Sequence, residues 1–142
     1  MIEITIPGEV QAQGRPRFAR RGGFVQTYDP PESKKYKELV KHHAMPHKPK
    51  ELLDEALIVS IDVFKKPPQS ISKVKRNSVA IENESLRPIT KPDVDNYAKG
   101  IKDALTGVIW TDDSKVVELI IRKFYSMNPR AEVVIKTLEE TK

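Results

Sequence analysis

Four aspartates near the middle of the chain have the residue type and spacing that could bind a divalent metal ion. Asp93 and Asp95 lie two residues apart after Pro92, in a segment expected to be extended, so both carboxylates can point to the same side. A helix is expected from Asp95 onward, and the turn after it returns the chain with the adjacent Asp112 and Asp113. Mg²⁺ takes a few hard oxygen ligands and keeps several waters, so two or three aspartates with a substrate phosphate would suit it.

The same aspartates also have ordinary structural explanations. Asp95 can cap the helix, Asp93 can be a solvated loop charge, and the two later aspartates can be turn residues. Lys99, one turn beyond Asp95, can be a surface ion-pair partner of Asp95 or Asp103 rather than a functional cation. Spacing alone leaves both interpretations open.

The charge distribution around these aspartates favours an enzyme that acts on a polyanion. The 142 residues include 25 Lys plus Arg and 20 Asp plus Glu, for a net charge of +5. Residues 93–113 hold five aspartates and two lysines, a local charge of 2 − 5 = −3, so the rest of the chain carries +8. A basic body around a small acidic centre would attract a polyanion and hold a cation where it is cut.

The elements that must position these residues indicate an α+β fold. The pattern predicts one domain over residues 1–142, with a mixed sheet of about four to five strands and two main helices. Strands are expected at 2–6, 56–64, 116–125 and 131–138, and helices between the start signal at 29–33 and Pro46 and over 95–107. Residues 11–27 are expected to form a basic β-ribbon or mobile arm, and residues 65–92 a long irregular stretch.

Several classes of protein are excluded or disfavoured by composition. The chain has no cysteine, which excludes disulfides and thiolate metal sites. Its longest apolar run is the four residues 56–59, far below the ~20 needed to span a bilayer, and the N-terminus lacks the pattern of a signal peptide. We therefore expect a cytoplasmic protein with no membrane partner.

The segment 91–116 resembles the signature of the RusA family of Holliday junction resolvases. The similar strings are Asp93-Val94-Asp95-Asn96 with Lys99, then Asp103-Ala104-Leu105-Thr106, then Asp112-Asp113-Ser114-Lys115-Val116. The start of the chain is similar too, in Gly14-Arg15-Pro16-Arg17 and in Tyr28-Asp29-Pro30 before the helix with Tyr36.

The resemblance implies a homodimeric endonuclease of DNA recombination and repair that depends on Mg²⁺ or Mn²⁺. Such an enzyme binds four-way DNA junctions and places paired nicks, needs no small-molecule cofactor, and is often encoded by a phage or prophage. Carried over position by position, the metal ligands fall on Asp93, Asp95 and Asp113, and the essential lysine falls on Lys99. Dimerisation also suits the symmetry of a junction.

Two basic segments are then expected to bind the DNA backbone. They contain Arg15, Arg17, Arg20 and Arg21, and Lys65, Lys66, Lys73, Lys75 and Arg76. Phe18 and Phe24, within the first segment, are expected in the core or a dimer contact, with stacking on an exposed base as the alternative. A non-catalytic junction-binding protein, or a nuclease for flaps, forks or RNA, is the alternative function.

Overall fold

The computed structural model describes residues 1–15 and 17–141, and of Arg17, Arg21 and Thr141 it describes the backbone alone. Pro16, part of the Gly14-Arg15-Pro16-Arg17 string, and Lys142 lie outside the described residues. The predicted phosphate contacts of the Arg17 and Arg21 side chains therefore also concern atoms outside the described part.

The predicted α+β class is confirmed. The elements in chain order are β1 (Ile2–Pro7), β2 (Arg17–Arg21), β3 (Phe24–Tyr28), α1 (Pro31–Ala44), β4 (Leu57–Lys65), α2 (Gln69–Ser72), α3 (Ser78–Glu82), α4 (Val94–Leu105), β5 (Val116–Tyr125) and β6 (Arg130–Thr137). Short 3₁₀ turns lie at Met45–His47, Lys75–Asn77, Asp113–Lys115 and Glu139–Thr141.

A mixed four-stranded sheet forms the framework, in the order β1-β6-β4-β5. Strand β6 runs antiparallel to both β1 and β4, whereas β5 runs parallel to β4. A parallel pair needs a long crossover, and the crossover from β4 to β5 contains α4, which contacts α1 and β5. The crossover thus brings α4 into contact with β5.

The core lies where one face of the sheet meets α1 and α4. Alternate residues of β4 and β6, such as Ile61 and Val133, are at most 1% exposed, as expected for strands with one covered face. Ile101 on α4 is completely buried, as is Trp110 in the turn after α4. No helix in the described part of the chain is long and apolar enough to cross a bilayer.

The segment predicted as irregular is partly ordered into short helices. Helices α2 and α3 and a 3₁₀ turn occupy its middle, and none of them has a side-chain cap. Elements of four or five residues are too short to show helical periodicity, so the prediction missed them. Arg130 Nη1 donates to Glu84 Oε2 at 2.7 Å, and Tyr125 N donates to Leu86 O at 2.8 Å, which ties this segment to the sheet.

Candidate active site

Helix α4 has one buried face and one charged, exposed face. Tyr97, Ile101 and Leu105 are at most 2% exposed, whereas Asp95 and Lys99 face solvent. Residues four apart on a helix are neighbours on its surface. A carboxylate and an ammonium group are therefore carried next to each other by an element that the core holds in place.

The start of α4 leaves two carboxylates uncommitted. Asp93 occupies the N-cap position, with φ −67° and ψ 150°, but its side chain makes no capping hydrogen bond. Asp95 is the second residue of α4, two positions after the N-cap, so the explanation that it caps the helix is wrong. Both residues are exposed at the end of the helix that favours negative charge, where an external cation could bind them.

The backbone that leads into Asp93 is held by two lysines. Lys123 Nζ, from β5, donates to Thr90 O at 2.9 Å and to Pro92 O at 3.1 Å. Lys65 Nζ lies 3.4 Å from Lys91 O, so this predicted phosphate ligand faces a backbone carbonyl. Lys123 was missed by sequence reasoning because its partners lie about thirty residues away.

Asp112 and Asp113 have different environments although they are adjacent. The Asp112 carboxylate accepts a hydrogen bond from Ser114 N at 2.9 Å and caps the 3₁₀ turn. Hydrogen bonds from the Ser114 side chain and backbone lower the pKa of Asp112. The turn-residue explanation therefore fits Asp112.

Asp113 instead belongs to a network that reaches the core. Thr106 Oγ1 lies 2.9 Å from Asp113 Oδ1, and Trp110 Nε1 donates to the same hydroxyl at 2.9 Å. Because Trp110 is completely buried, it holds the Thr106 oxygen in place. The single proton of the Thr106 hydroxyl can be donated either to Asp113 Oδ1 or to Lys102 O, each at 2.9 Å. The other carboxylate oxygen of Asp113 stays available on an exposed residue.

A cleft of about 270 Å³ brings Asp113 and Lys99 together. Its other lining residues are Gln13, Lys37, Lys102 and Asp103. Lys37 Nζ lies 2.7 Å from Asp103 Oδ2, so Asp103 is paired with α1. Within residues 1–15 and 17–141, Lys99 has no ion-pair partner within 4.0 Å, and the alternative in which Lys99 serves as a surface ion pair is wrong.

A second cleft of about 450 Å³ shares Gln13 and Lys99 with the first. Gly14, Arg15 and Asn96 complete its lining. Gln13 N donates to Asn96 O at 2.9 Å, which docks the loop after β1 onto the first turn of α4. A Cβ on Gly14 would lie 2.8 Å from Pro30 Cγ, so only glycine fits this close approach.

A larger cavity of about 530 Å³ lies away from these residues. It is lined by parts of α2 and α3 and by Ser126, Met127 and Asn128 after β5. None of the predicted catalytic residues lines it. The clefts around Lys99 are therefore the better candidates for chemistry despite their smaller volumes.

The donor set suits a hard divalent cation with few protein ligands. Among the described residues, no three His, Asp or Glu side chains form a group that could hold a metal ion, so Asp113 is not clustered with Asp93 and Asp95. Mg²⁺ commonly takes one or two carboxylates and completes its shell with waters and substrate phosphate. Exposed aspartate oxygens are suitable ligands for such an ion, and a substrate phosphate with waters would complete its coordination shell.

The predicted DNA-binding residues are mostly exposed. Arg15, just before the β2–β3 hairpin, and Arg20, within it, are exposed. Between β4 and α3 the exposed basic residues are Lys66, Lys73, Lys75 and Arg76. Phe18 and Phe24 are 71% and 75% exposed, so a core position for either ring is wrong. The dimer contact and the stacking on an exposed base stay predictions.

Two comparisons place this chain among known proteins. A sequence model of the family Endodeoxyribonuclease RusA matches residues 7–136, nearly the whole chain. The Uncharacterized protein YqaN of Bacillus subtilis (strain 168) is 45% identical over 135 residues, which cover 95% of this chain and 95% of YqaN. The matched range includes α4, both clefts and the hairpin.

Proposed function

The chain belongs to the RusA endodeoxyribonuclease family, and from that premise we propose that it resolves four-way DNA junctions by metal-dependent paired nicking. The observation that carries the proposal is the match over residues 7–136. The matched range includes α4, whose Lys99 lines one cleft together with Asp113. A cytoplasmic homodimer in DNA recombination and repair would present two such sites to the two equivalent strands of a junction.

Three of the four aspartates bind the metal ion in this proposal, and the fourth does not. Asp93, Asp95 and Asp113 are the ligands we propose for Mg²⁺ or Mn²⁺, although the described residues do not gather the three carboxylates into one group, so waters and substrate phosphate would complete the shell. The ion, when bound, lowers the pKa of a coordinated water and polarises the scissile phosphate. Asp112 has the structural role, because its carboxylate caps the 3₁₀ turn, whereas Asp113 and not Asp112 lines the cleft with Lys99. When the Thr106 hydroxyl donates to Asp113 Oδ1 rather than to Lys102 O, it orients Asp113 and leaves the second oxygen for the ligand.

Lys99 is the catalytic cation in the proposal. It shares one cleft with Asp113 and the other with Arg15, so a phosphate between the clefts would meet both positive groups. Because the described residues give Lys99 no ion-pair partner, its charge is available to the transition state, in which negative charge builds up on the phosphate.

The basic segments would position the DNA. The exposed residues of these segments are Lys73, Lys75 and Arg76, and Arg15 and Arg20. Contacts from such residues to phosphates carry affinity and register rather than sequence information. Lys65 contributes less than predicted, since its ammonium faces Lys91 O.

The test is cleavage of a labelled, immobile four-way junction with Mg²⁺, with Mn²⁺ and with EDTA, beside linear duplex and flap substrates. We expect paired nicks in the junction with either metal and none with EDTA. Junction binding without cleavage under every condition would make the protein a non-catalytic binding module. Faster cleavage of flaps, forks or RNA than of the junction would overturn the assigned substrate.

A further inference from the structure

The β2–β3 hairpin carries several large apolar side chains that are exposed to solvent. Phe18 and Phe24 are 71% and 75% exposed, Val25 is 62% exposed, and Tyr28 is 47% exposed. The hairpin forms its own two-stranded sheet, separate from the four-stranded one. An isolated hairpin is marginally stable in water, and clustered exposed apolar side chains mark a binding surface.

The strand register puts an aromatic ring on each face of this ribbon. Phe18 is opposite Thr27, and Arg20 is opposite Val25, while Phe24 is opposite Arg21. Cross-strand partners share a face and successive residues alternate. Phe18 and Arg20 thus lie on one face, and Phe24 lies on the other, directly after the turn.

The turn itself is built for a tight ribbon. Gly22 and Gly23 have φ values of +54° and +86°, as a two-residue turn with both central residues in the left-handed region requires. Strands of five residues on each side then give a ribbon about 17 Å long. Phe24 comes close to its tip.

The charge of the segment identifies the chemistry of its partner. Residues 10–28 contain four arginines and no aspartate or glutamate. A partner must therefore be polyanionic and offer flat apolar faces to the two rings. Nucleic acid meets both conditions, because bases stack on aromatic side chains while phosphates attract arginine.

The base of the hairpin is anchored at the candidate active site. Gln13 N donates to Asn96 O at 2.9 Å before β2, and Gln13 Nε2 donates to Asp29 Oδ1 at 3.2 Å after β3. Lys37 Nζ holds the other oxygen of Asp29 at 2.8 Å. The first end of the ribbon is thus tied to α4, which carries Lys99, and the second end is tied to Gln13 and to α1. A DNA strand in the cleft would therefore have the ribbon beside it.

We propose that the hairpin selects branched DNA by stacking Phe18 and Phe24 on bases that are unstacked at the branch point. A continuous duplex has no free base face for either ring, whereas bases at a branch can be exposed on both sides of an inserted ribbon. The inference rests on the proposed function only in taking branched DNA as the substrate.

The test is junction binding in EDTA, so that cleavage does not enter the measurement. A four-way junction with 2-aminopurine at the branch point is titrated with wild type, with Phe18→Leu/Phe24→Leu and with Phe18→Trp/Phe24→Trp. Leucine keeps the apolar volume and loses the aromatic face, whereas tryptophan keeps the face. We expect about 5- to 150-fold weaker junction binding for each ring lost, with loss of the fluorescence change. The tryptophan variant should keep both the junction affinity and the fluorescence change of the wild type. All three proteins should bind duplex DNA with the same affinity.

Other outcomes separate the two proposals. If the wild type prefers the junction and the leucine variant does so equally, the hairpin inference fails while the proposed function stands. If the wild type shows no preference for the junction over duplex, the proposed substrate fails. If the leucine variant loses affinity for anionic lipid vesicles but not for the junction, the ribbon is a membrane contact, and the inference is overturned.

Discussion

Helix α4 and the β2–β3 hairpin are held in opposite ways. Helix α4 buries Ile101 and Leu105 completely, so the core fixes the exposed groups on its other face. The hairpin leaves Phe18 and Phe24 about three-quarters exposed and is anchored at its base, through hydrogen bonds of Gln13, Gly14 and Asp29. The groups that must contact the reacting phosphate in one fixed geometry therefore lie on α4, which the core holds rigid. The groups proposed to contact the flexible DNA substrate lie on the hairpin, which is held less firmly.

The largest effect is expected from Asp113, with its neighbour Asp112 as the matched control. Asp113→Asn should lower the junction cleavage rate by at least about 10³-fold, because it removes a charged ligand from the cleft with Lys99. Asp112→Asn should cleave at nearly the wild-type rate, since asparagine can still cap the turn at Ser114. Equal losses in the two variants would contradict the separate roles of these residues.

The two regions should also differ in their contribution to stability. Ile101→Ala should lower the free energy of unfolding by about 2 to 5 kcal/mol, because it opens a cavity in a fully buried site. Phe18→Ala should change it by less than about 0.5 kcal/mol, because the ring is exposed. Chemical denaturation of both variants measures the difference, and a large loss for Phe18→Ala would place that ring in a packed environment.

Lys99→Ala tests whether the exposed face of α4 is chemical rather than structural. The cleavage rate should fall by about 10²- to 10³-fold, since a cation beside the developing charge is lost. Melting temperature and junction affinity should stay close to wild type, because Lys99 has no ion-pair partner in the described part of the chain. Lys102→Ala, on the same cleft, is the control, and full activity of Lys99→Ala would refute the catalytic role.

A smaller effect is expected from Lys123, which acts through the backbone before Asp93. Lys123→Met keeps the aliphatic stem and removes the hydrogen bonds to Thr90 O and Pro92 O. We expect about a 10- to 100-fold loss of cleavage at low Mg²⁺, with partial recovery as Mg²⁺ is raised. Lys136→Met, on β6, is the control, and a loss that no metal concentration reduces would indicate a different role.

The sequence predicted the framework well because its elements are long and periodic. Alternation in β4 and the apolar stripe of α4 are strong signals, and both elements form within two residues of the predicted bounds. The hairpin shows no such periodicity, so a ribbon and a mobile arm could not be told apart. Burial preference then misled the assignment of Phe18, whose ring is exposed.

The residues of the candidate site could be predicted from the sequence, but their arrangement in space could not. Asp112 and Asp113 are equivalent in sequence, and only their contacts with Ser114 and Thr106 separate them. The pairing of Asp103 with Lys37 joins two helices far apart in the chain, and no local pattern indicates it.

The most direct test measures binding and chemistry separately in the two regions. Junction affinity in EDTA and single-turnover cleavage at saturating enzyme with Mg²⁺ would be determined for wild type, Asp95→Asn and Phe18→Leu/Phe24→Leu. We predict that Asp95→Asn binds the junction like wild type and does not cleave it. The hairpin variant should bind more weakly and, once saturated, cleave at the wild-type rate. Normal cleavage by Asp95→Asn would contradict the assignment of the chemistry to the start of α4.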